Sequence, residues 1–328
     1  MAILVTGGAG FIGAHVVNDL LAMNHEVVVL DDLSGGFREN VNPQAQLIEG
    51  SITSAALIEK IFREHNIEYV FHLAAYAAEG LSHFIKRFNY ENNLIGSVNL
   101  INASVNHQVR CFVFTSSIAV YGTGQLPFNE EMTPSPEDSY GIAKYAVEQE
   151  LLVSQHIFGL DFIIFRPHNV YGEYQNIGDK YRNVAGIFMN QVMQGEPLTI
   201  FGDGTQTRAF TYIGDVSPII ARSINVPEAY NQTFNIGGDE VVTVHHLAQV
   251  VSQAFGVEPK ITHLEGRNEV KSAHSDHSKV KRVFGYQPQY SLEQGITAMA
   301  RWAKKVGPRT GGKFGNIEIR KNLPASWV

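Results

Sequence analysis

Tyr140 and Lys144 are the residues whose types and spacing most directly suggest chemistry. They stand four positions apart, so on a helix they share one face and both can address the same ligand. A tyrosine has an unperturbed pKa of about 10 and is a poor base near neutral pH, but a nearby ammonium favours its phenolate. The pair therefore predicts a base for proton transfer. An ordinary amphipathic helix, with the tyrosine in the core and the lysine in water, gives the same pattern.

The segment before this pair favours the catalytic interpretation. Residues 111–114 form an apolar run that is typical of a strand buried on both faces. Open α/β sheets bind their ligands at the carboxyl ends of such strands, which is where Ser117 follows. Its hydroxyl would hydrogen-bond the reacting oxygen, although serines after a strand are also common turn formers. With all three in this order, we predict that Ser117, Tyr140 and Lys144 form one catalytic group.

A glycine-rich loop at residues 6–13 indicates a dinucleotide site. Gly7, Gly10 and Gly13 allow a tight turn, close approach of the backbone to a pyrophosphate, and close helix–strand packing. Asp31 ends the next strand, where a carboxylate accepts hydrogen bonds from an adenosine ribose and repels a 2′-phosphate. The sequence therefore predicts NAD rather than NADP, and the positive nicotinamide ring would add to Lys144 in favouring the Tyr140 phenolate. The alternative, that Asp31 and Asp32 only cap a loop, is weaker because no Arg or Lys precedes Arg38.

The elements that position these residues alternate in type along the first half of the chain. Strands are predicted at residues 2–5, 26–30, 46–48, 69–73, 111–114 and 161–165, and helices at 12–23, 54–65, 92–106 and 140–158. Such alternation is typical of a parallel sheet with helices on both faces. We predict an α/β fold with a Rossmann-type doubly wound parallel sheet.

The second half of the chain is less regular. Pro197, Pro218, Pro227 and Pro259 interrupt the pattern, and helices are predicted only at residues 184–194, 244–255 and 292–306. We predict an NAD-binding domain over residues 1–166 and a smaller C-terminal substrate-binding lobe over 167–328. Part of 210–240, with a strand at 233–236, is expected to return to the first sheet. Residues 309–328 are basic and rich in glycine at first, which predicts a mobile or surface-hugging extension.

Composition excludes several classes of protein. The chain has 328 residues, a hydrophobic fraction of 44% and a net charge of −7, which excludes intrinsic disorder and makes binding to nucleic acid improbable. Its single cysteine, Cys111, forms no internal disulfide. No apolar run reaches the ~20 residues that span a bilayer, and no signal-peptide pattern precedes the first motif. We predict a cytoplasmic protein with no membrane partner.

In combination, the motifs resemble the extended short-chain dehydrogenase/reductases, in particular their NAD-dependent nucleotide-sugar epimerase/dehydratase group. The similarity covers nearly the whole chain and rests on the glycine loop, Asp31, residues 72–75, Asn92, residues 115–122, the Tyr140–Lys144 pair, and residues 166–172 and 202–208. The resemblance implies a cleft that holds NAD and a nucleotide-sugar substrate. It also implies a homodimer, formed by the helices at 92–106 and 140–158.

The resemblance implies contacts for the cofactor and for the substrate. Besides the residues already named, those expected at the cofactor are Phe11, Ile12, Asp32, Ser34, Ser51, Ile52, Leu73, Ala74, Ala75, Asn92, Thr115, Pro167 and Val170. Those expected at the substrate diphosphate, sugar or base, besides Ser117 and Tyr140, are Asn169, Asn183, Val184, Thr199, Phe201, Arg208 and Arg267. Arginine is the natural bidentate partner of phosphate. Ser51 stands where the family often has an acidic residue near the adenine, so a hydroxyl would make that contact here.

Ile118 and Ala119 discriminate among the reactions of the family. Sugar 4,6-dehydratases carry an Asp–Glu pair there, uronic-acid decarboxylases an acidic residue near Ala119, and GDP-mannose 3,5-epimerases a cysteine. Aliphatic side chains cannot transfer protons as those groups do, so these three activities are disfavoured. We predict a 4-epimerase acting on a UDP-hexose or UDP-uronic acid through a 4-keto intermediate. Tyr140 would take the proton of the C4 hydroxyl while the C4 hydride passes to bound NAD⁺ and then returns to the opposite face.

Two alternatives stay open. An NAD(P)-dependent reductase of a 4-keto nucleotide sugar would use the same serine, tyrosine and lysine but release its nicotinamide at each turnover. A non-catalytic NAD-sensing protein on the same scaffold is disfavoured by the intact catalytic group. No metal is expected, because the thirteen histidines form no convincing ligand set.

Overall fold

The computed structural model describes residues 2–266, 271–312, 314–324 and 327. Its strands are β1 Ala2–Thr6, β2 Glu26–Asp31, β3 Gln46–Glu49, β4 Ile67–His72, β5 Cys111–Thr115, β6 Phe162–Pro167, β7 Val170–Tyr171, β8 Leu198–Phe201, β9 Thr207–Ala209, β10 Thr211–Tyr212, β11 Gln232–Ile236, β12 Val241–Thr243, β13 Ile261–Leu264 and β14 Ser272–Ala273. Its α-helices are α1 Phe11–Ala22, α2 Ala55–Glu64, α3 Glu79–Ser82, α4 Lys86–Tyr90, α5 Gly96–Asn106, α6 Ser139–Phe158, α7 Val184–Gln194, α8 Ile213–Arg222, α9 Val244–Phe255, α10 Ser278–Phe284 and α11 Leu292–Val306.

A parallel sheet of seven strands forms the centre of the fold. Its order is β11-β6-β5-β4-β1-β2-β3, and every neighbouring pair is parallel. From β1 the chain first builds outward through β2 and β3, and then returns to the other side of β1 with β4. In sheets of this kind, ligands bind at that reversal, outside the carboxyl ends of the strands. The predicted α/β fold with a doubly wound parallel sheet is confirmed.

Apolar side chains cover both faces of this sheet. On one face, α1 and α8 pack against the strands through buried residues such as Val17 and Ile220. On the other face, α2, α5 and α6 bury residues such as Ile61, Leu100 and Leu151. Strands buried on both sides must be apolar throughout, which is why residues 111–114 are hydrophobic at every position.

The second half of the chain has its own core. Helices α7, α9 and α11 pack together around buried residues that include Phe188, Leu247 and Met299. Short pairings, β8 with β13, β9 with β12 and β14, and β7 with β10, lie beside them. Strand β11 leaves this region and pairs with β6, with Phe234 opposite Phe165. Residues 232–236 therefore lie in the central sheet, and the division of the chain at residue 166 stays a prediction.

Three features differ from the sequence-based expectations. Pro218 lies inside helix α8, although the sequence pattern predicts a break there. The proline removes one backbone hydrogen bond of α8, and packing of the buried face of α8 against α1 offsets that loss. The helix expected from residue 92 becomes a regular α-helix only at Gly96, because Glu91–Ile95 form a π-helical turn. The tail expected to be mobile or surface-hugging buries Trp327 among residues such as Ala78 and Leu81. Among the described helices, none has the length and hydropathy needed to cross a bilayer.

Candidate active site

A cleft of about 880 Å³ opens at the carboxyl ends of the central strands, where the sheet reverses. The loops after β1, β2, β4, β5 and β6 line one part of it, and α7, β8 and β9 line the other. A cavity of this size accommodates a small-molecule ligand or cofactor.

The glycine loop forms the floor of the cleft beside β1. Gly7 has a φ of +74°, and a Cβ there would lie 2.7 Å from the backbone nitrogen of Ala74. A Cβ at Gly13 would overlap the carbonyl oxygen of Gly7. Helix α1 begins directly after this loop, and no side chain caps its first turn. Its N-terminal N–H groups therefore suit the pyrophosphate of a dinucleotide, so the loop fits the group that the sequence predicts.

Asp31 ends β2 and lies beside this loop. Its side chain is buried, and its two carboxylate oxygens accept hydrogen bonds from the backbone nitrogens of Ala9 (2.9 Å) and Leu33 (2.8 Å). Burial raises the pKa of Asp31, and these hydrogen bonds act in the opposite direction. Each oxygen keeps a lone pair for a ribose hydroxyl, so the carboxylate fits NAD better than a cofactor with a 2′-phosphate.

Tyr140, Ser117 and Lys144 all line the same cleft. Helix α6 begins at Ser139, where Asp138 caps it by accepting a hydrogen bond from the backbone nitrogen of Gly141 (2.8 Å). Tyr140 and Lys144 therefore lie in the first two turns of the helix. Ser117 follows β5 by two residues and lies close enough to the Tyr140 phenol to oppose the rise of its pKa. The structure thus brings together the three residues that the sequence predicts to be catalytic.

Burial dominates the protonation of Tyr140. It raises the pKa of the phenol above its ordinary value, and the negative charges of Glu79 and Asp138 raise it further. The Ser117 hydroxyl and the positive charge of Arg182 oppose this rise. In the protein alone the phenol is therefore neutral at physiological pH, and a further positive charge in the cleft is needed before it can act as a base.

Lys144 lies deeper than Tyr140 and is fixed by its surroundings. Its ammonium donates a hydrogen bond to the backbone oxygen of Thr115 (2.8 Å) and lies 4.7 Å from the ring centroid of Phe114. Its Nζ is 5.8 Å from the ring centroid of Tyr140. Burial lowers the pKa of Lys144 to about 7, and the charge of Glu148 opposes that shift. A small gain in negative charge nearby would therefore protonate Lys144 fully.

Most of the residues expected at the cofactor line this cleft. Those that do, besides the glycines and Asp31, are Phe11, Ile12, Asp32, Ser34, Ile52, Leu73, Ala74, Ala75, Asn92, Thr115, Pro167 and Val170. Ser51 is not among them: its hydroxyl bonds instead to the hydroxyl of Thr53 (2.9 Å) and accepts from the Thr53 backbone nitrogen (3.2 Å). The loop after β3 turns this side chain toward Thr53, while Gly50 and Ile52 face the cleft.

The residues expected at the substrate line the other part of the cleft. Asn169 follows β6 with a φ of +42°, and Asn183 caps α7 while its amide donates to the oxygen of Val170 (2.7 Å). Val184, Thr199, Phe201 and Arg208 also line the cleft. The guanidinium of Arg208 donates to the backbone oxygens of Thr207 (2.8 Å) and Lys271 (3.3 Å). Arg267 lies outside the described residues.

Comparison with known proteins agrees with this arrangement. A family model described as the NAD-dependent epimerase/dehydratase family matches residues 3–237. The chain belongs to the NAD-dependent epimerase/dehydratase family. It is 33% identical over 306 residues to a putative UDP-glucose 4-epimerase of Methanocaldococcus jannaschii, a match that covers 92% of this chain and 98% of the relative.

Two solved structures show the same fold. One is UDP-glucose 4-epimerase from Thermotoga maritima with UDP-glucose, which has a TM-score of 0.87 and 35% identity and covers 93% of this chain and 99% of that one. The other is UDP-glucose 4-epimerase from Thermus thermophilus in complex with NAD, with a TM-score of 0.85 and 30% identity over 93% and 99% of the two chains.

In this member of the epimerase/dehydratase family, a buried ion pair lies next to the three residues predicted to be catalytic. Glu148, one turn after Lys144, accepts hydrogen bonds from the guanidinium of Arg166 (2.9 Å from Nε) and from the hydroxyl of Ser116. Arg166 also donates to the phenol of Tyr121 (2.7 Å). The network joins α6 to the ends of β5 and β6 and so fixes the distance between Lys144 and Ser117. Sequence reasoning missed it, because nothing local relates residue 148 to residue 166.

The polar loop before α7 adds a cation that sequence reasoning also missed. Arg182 contacts Asp179 (3.0 Å, Nε to Oδ2) and lies over the ring of Tyr76 (4.9 Å to the centroid). A Cβ at Gly35 would lie 2.8 Å from its guanidinium, so it bridges the loop after β2 and the substrate side of the cleft. In the sequence, only the run of Lys180, Tyr181 and Arg182 within a polar loop indicates a cation at this position.

Asn93, in the π-helical turn that precedes α5, holds the loop after β4. Its side-chain oxygen accepts from the backbone nitrogen of Tyr76 (2.8 Å), and its amide donates to the backbone oxygen of the same residue (3.1 Å). Such turns widen a helix by one residue and occur often at functional sites. Asn92, in the same turn, faces the cleft. Within the described part of the chain, no group of three or more potential ligands could hold a metal ion.

Proposed function

We propose that this protein is an NAD-dependent nucleotide-sugar 4-epimerase that acts on a UDP-hexose or a UDP-uronic acid. One observation carries the proposal: Ser117, Tyr140 and Lys144 meet in a cleft whose positions 118 and 119 are Ile and Ala. A 4-epimerase needs one group that removes and returns a proton, and it needs no second acid or thiol at those positions.

The residues of this chain account for the proton transfer. The C4 hydroxyl of the sugar would lie between Ser117 and Tyr140, with Ser117 orienting it and the Tyr140 phenolate accepting its proton. The glycine loop and Asp31 would hold NAD, which would supply the hydride chemistry at C4 and the positive charge that the buried phenol requires. Tyr140 then returns its proton to the C4 oxygen. The Lys144 ammonium stabilises the phenolate throughout.

NAD is the cofactor that fits the site. The N-terminus of α1 has no side-chain cap, so its N–H groups are free to bind a pyrophosphate. The backbones of Gly7 and Ala74 lie so close together that no side chain fits at position 7. Asp31 offers carboxylate oxygens to the adenosine ribose and opposes a 2′-phosphate. The family to which the chain belongs is NAD-dependent, and one structural neighbour was solved with NAD.

A uridine diphosphate sugar is the substrate class that we propose. The two solved structures reported above are UDP-glucose 4-epimerases, one of them with UDP-glucose, and the third relative is described as a putative UDP-glucose 4-epimerase. We infer that Asn169, Asn183 and Val184 contact the sugar and diphosphate, that Thr199 and Phe201 flank the base, and that Arg208 binds the diphosphate. Arg267 stays a prediction for the same role.

We further infer that the protein is a homodimer formed through α5 and α6. Helix α6 leaves Leu152, Val153, Ile157 and Phe158 exposed, with 64% of the surface of Phe158 in contact with solvent. An apolar stripe of this kind on a single chain is typical of an interface. Light scattering after gel filtration should give twice the chain mass, and I157K should give the chain mass; a monomeric wild type would contradict the inference. The cytoplasmic location stays a prediction.

A direct assay tests the activity. The protein would be loaded with NAD and incubated with UDP-glucose or UDP-glucuronate, and the products separated by chromatography. We expect UDP-galactose or UDP-galacturonate with no net consumption of NAD, and no product with Y140F. A product that forms only with stoichiometric oxidation of NADH would instead support a 4-keto sugar reductase. Absence of any product with both substrates would contradict the proposal.

A further inference from the structure

After α11 ends, the described residues 307–312, 314–324 and Trp327 form a C-terminal segment that packs back onto the rest of the fold. Arg309 marks its start: its guanidinium lies 3.6 Å from the ring centroid of Phe37 and bonds to Glu39 (2.8 Å). Its backbone nitrogen and oxygen both bond to the side chain of Asn190 (2.9 Å each). This C-terminal segment is therefore attached both to the loop after β2 and to α7.

The middle of the C-terminal segment is fixed to α4 and to the turn between α3 and α4. The carboxylate of Glu318 accepts hydrogen bonds from the backbone nitrogens of Arg87 (2.8 Å) and Phe88 (3.0 Å). The backbone nitrogens of Glu318 and Ile319 in turn donate to the oxygen of Phe84 (2.9 and 3.2 Å). These contacts satisfy backbone groups on both sides, so the two segments are ordered together.

Aromatic packing continues this contact to the end of the segment. Phe314 packs edge-on against Phe88, with ring centroids 5.0 Å apart, and lies 5.5 Å from Tyr76. Trp327 packs edge-on against Tyr181 (5.4 Å) and Phe84 (6.1 Å). Only 6% of the surface of Trp327 is exposed. Edge-to-face aromatic pairs of this kind add stability beyond the area they bury.

Trp327 also lines the catalytic cleft, which Phe314 does not. A Cβ at Gly80 would lie 3.2 Å from the Cη2 atom of Trp327, so the indole packs directly on α3. Helix α3 is next to the catalytic tyrosine: the Ser82 hydroxyl accepts from the Tyr140 backbone nitrogen (3.2 Å), and the charge of Glu79 acts on the Tyr140 phenol. The indole thus stands at the end of the cleft where the sugar reacts, far along the chain from every motif of the family.

We propose that Trp327 is a specificity-determining residue, whose indole closes the sugar end of the cleft and excludes hexosyl groups with a bulky ring substituent. The proposal rests on the proposed function for the position of the sugar. A rigid aromatic wall held by Tyr181, Phe84 and Gly80 cannot yield to an added N-acetyl group without losing this packing. The indole would clash with the N-acetyl group of a larger sugar, and such a steric clash allows an apolar pocket to reject a larger substrate.

The test compares UDP-glucose with UDP-N-acetylglucosamine in the NAD-loaded protein. Dissociation constants would be measured by titration calorimetry, and kcat/KM by product chromatography, for wild type, W327A, W327F and F314A. We expect W327A to raise the preference for the N-acetylated sugar by about tenfold or more, since a pocket contact of this size is worth 10–200-fold. W327F should give a smaller rise, and F314A should lower stability without changing the preference.

Two results would overturn the proposal. The first is a W327A variant with the same preference between the two sugars as wild type. The second is an F314A variant whose preference changes as much as that of W327A, because the whole C-terminal segment rather than the indole would then be responsible. The dissociation constants separate this test from that of the proposed function. If wild type binds both sugars but converts neither, the activity proposal fails, and the ratio of dissociation constants still decides the role of Trp327.

Discussion

Replacing Lys144 by Met should make the protein more stable and less active at the same time. Burial lowers the pKa of this lysine from 10.5 to about 7. Each pH unit between the two values corresponds to about 1.4 kcal/mol, so the buried amine destabilises the folded protein by on the order of 4 kcal/mol at pH 7. Met removes that cost but leaves the backbone oxygen of Thr115 without its donor, a loss of about 1–3 kcal/mol. We expect a net gain of roughly 1–3 kcal/mol.

The sign of the pH dependence follows from linkage. Between pH 7 and 10.5 the unfolded chain holds the lysine proton and the folded chain does not, so the stability of wild type rises with pH in this range. The advantage of K144M is therefore full and constant below pH 7, and it falls as the pH rises toward 10.5. Above that value only the lost hydrogen bond remains, and K144M becomes the less stable protein.

Urea denaturation of protein freed of NAD, at several pH values from 6 to 9.5, measures this difference. K305M, on the exposed side of α11, is the matched control and should track wild type at every pH. The kcat of K144M on the proposed substrate should fall by about 10²-fold or more. A stability difference between K144M and wild type that does not change with pH would refute the reasoning, because it would mean that the buried amine carries no titration cost.

Substitutions at four other positions, two of them with a control variant, test separate features of the site. S117A should lower kcat by about 10²-fold while S117T, which keeps the hydroxyl, recovers most of it. G13V should purify without nucleotide, because a side chain there overlaps Gly7, whereas G312V, with open space around it, should retain NAD measured after acid release. D31S should weaken NAD binding by about 10- to 100-fold and raise the NADP/NAD preference in titrations. E148Q should lower the free energy of unfolding by about 3–5 kcal/mol, because it leaves a buried arginine without its charge partner; a loss below 1 kcal/mol would contradict the role given to that pair.

The parts of the site that local patterns encode could be predicted from the sequence. Gly7 is required by the left-handed turn that it forms, and Gly13 by its close contact with the backbone of Gly7. Tyr140 and Lys144 share a helix, so their spacing alone brings them together. Asp31 ends a strand whose position in the sheet follows from the first βαβ unit. In each case the information lies within about thirty residues.

The remaining features depend on contacts between distant segments. Trp327 contacts Gly80, which lies more than two hundred residues earlier in the chain. The Gly-rich, basic stretch before Trp327 is typical of a tail that does not pack, so the sequence does not indicate this contact. The pairing of Glu148 with Arg166 depends on how α6 lies against β6. Ser51 fails to reach the cleft because its hydroxyl finds a closer partner in the next turn. No local pattern carries this information.

The fate of the hydrogen at C4 tests the central claim most directly. The NAD-loaded protein would be given UDP-glucose or UDP-glucuronate with deuterium at C4, and the product examined by mass spectrometry and proton NMR. We expect the C4 epimer with deuterium retained at C4 and no NADH released, because the same hydride leaves C4 and returns to C4 within one site. A product that has lost the deuterium, or one that appears only with stoichiometric release or consumption of NADH, would contradict it.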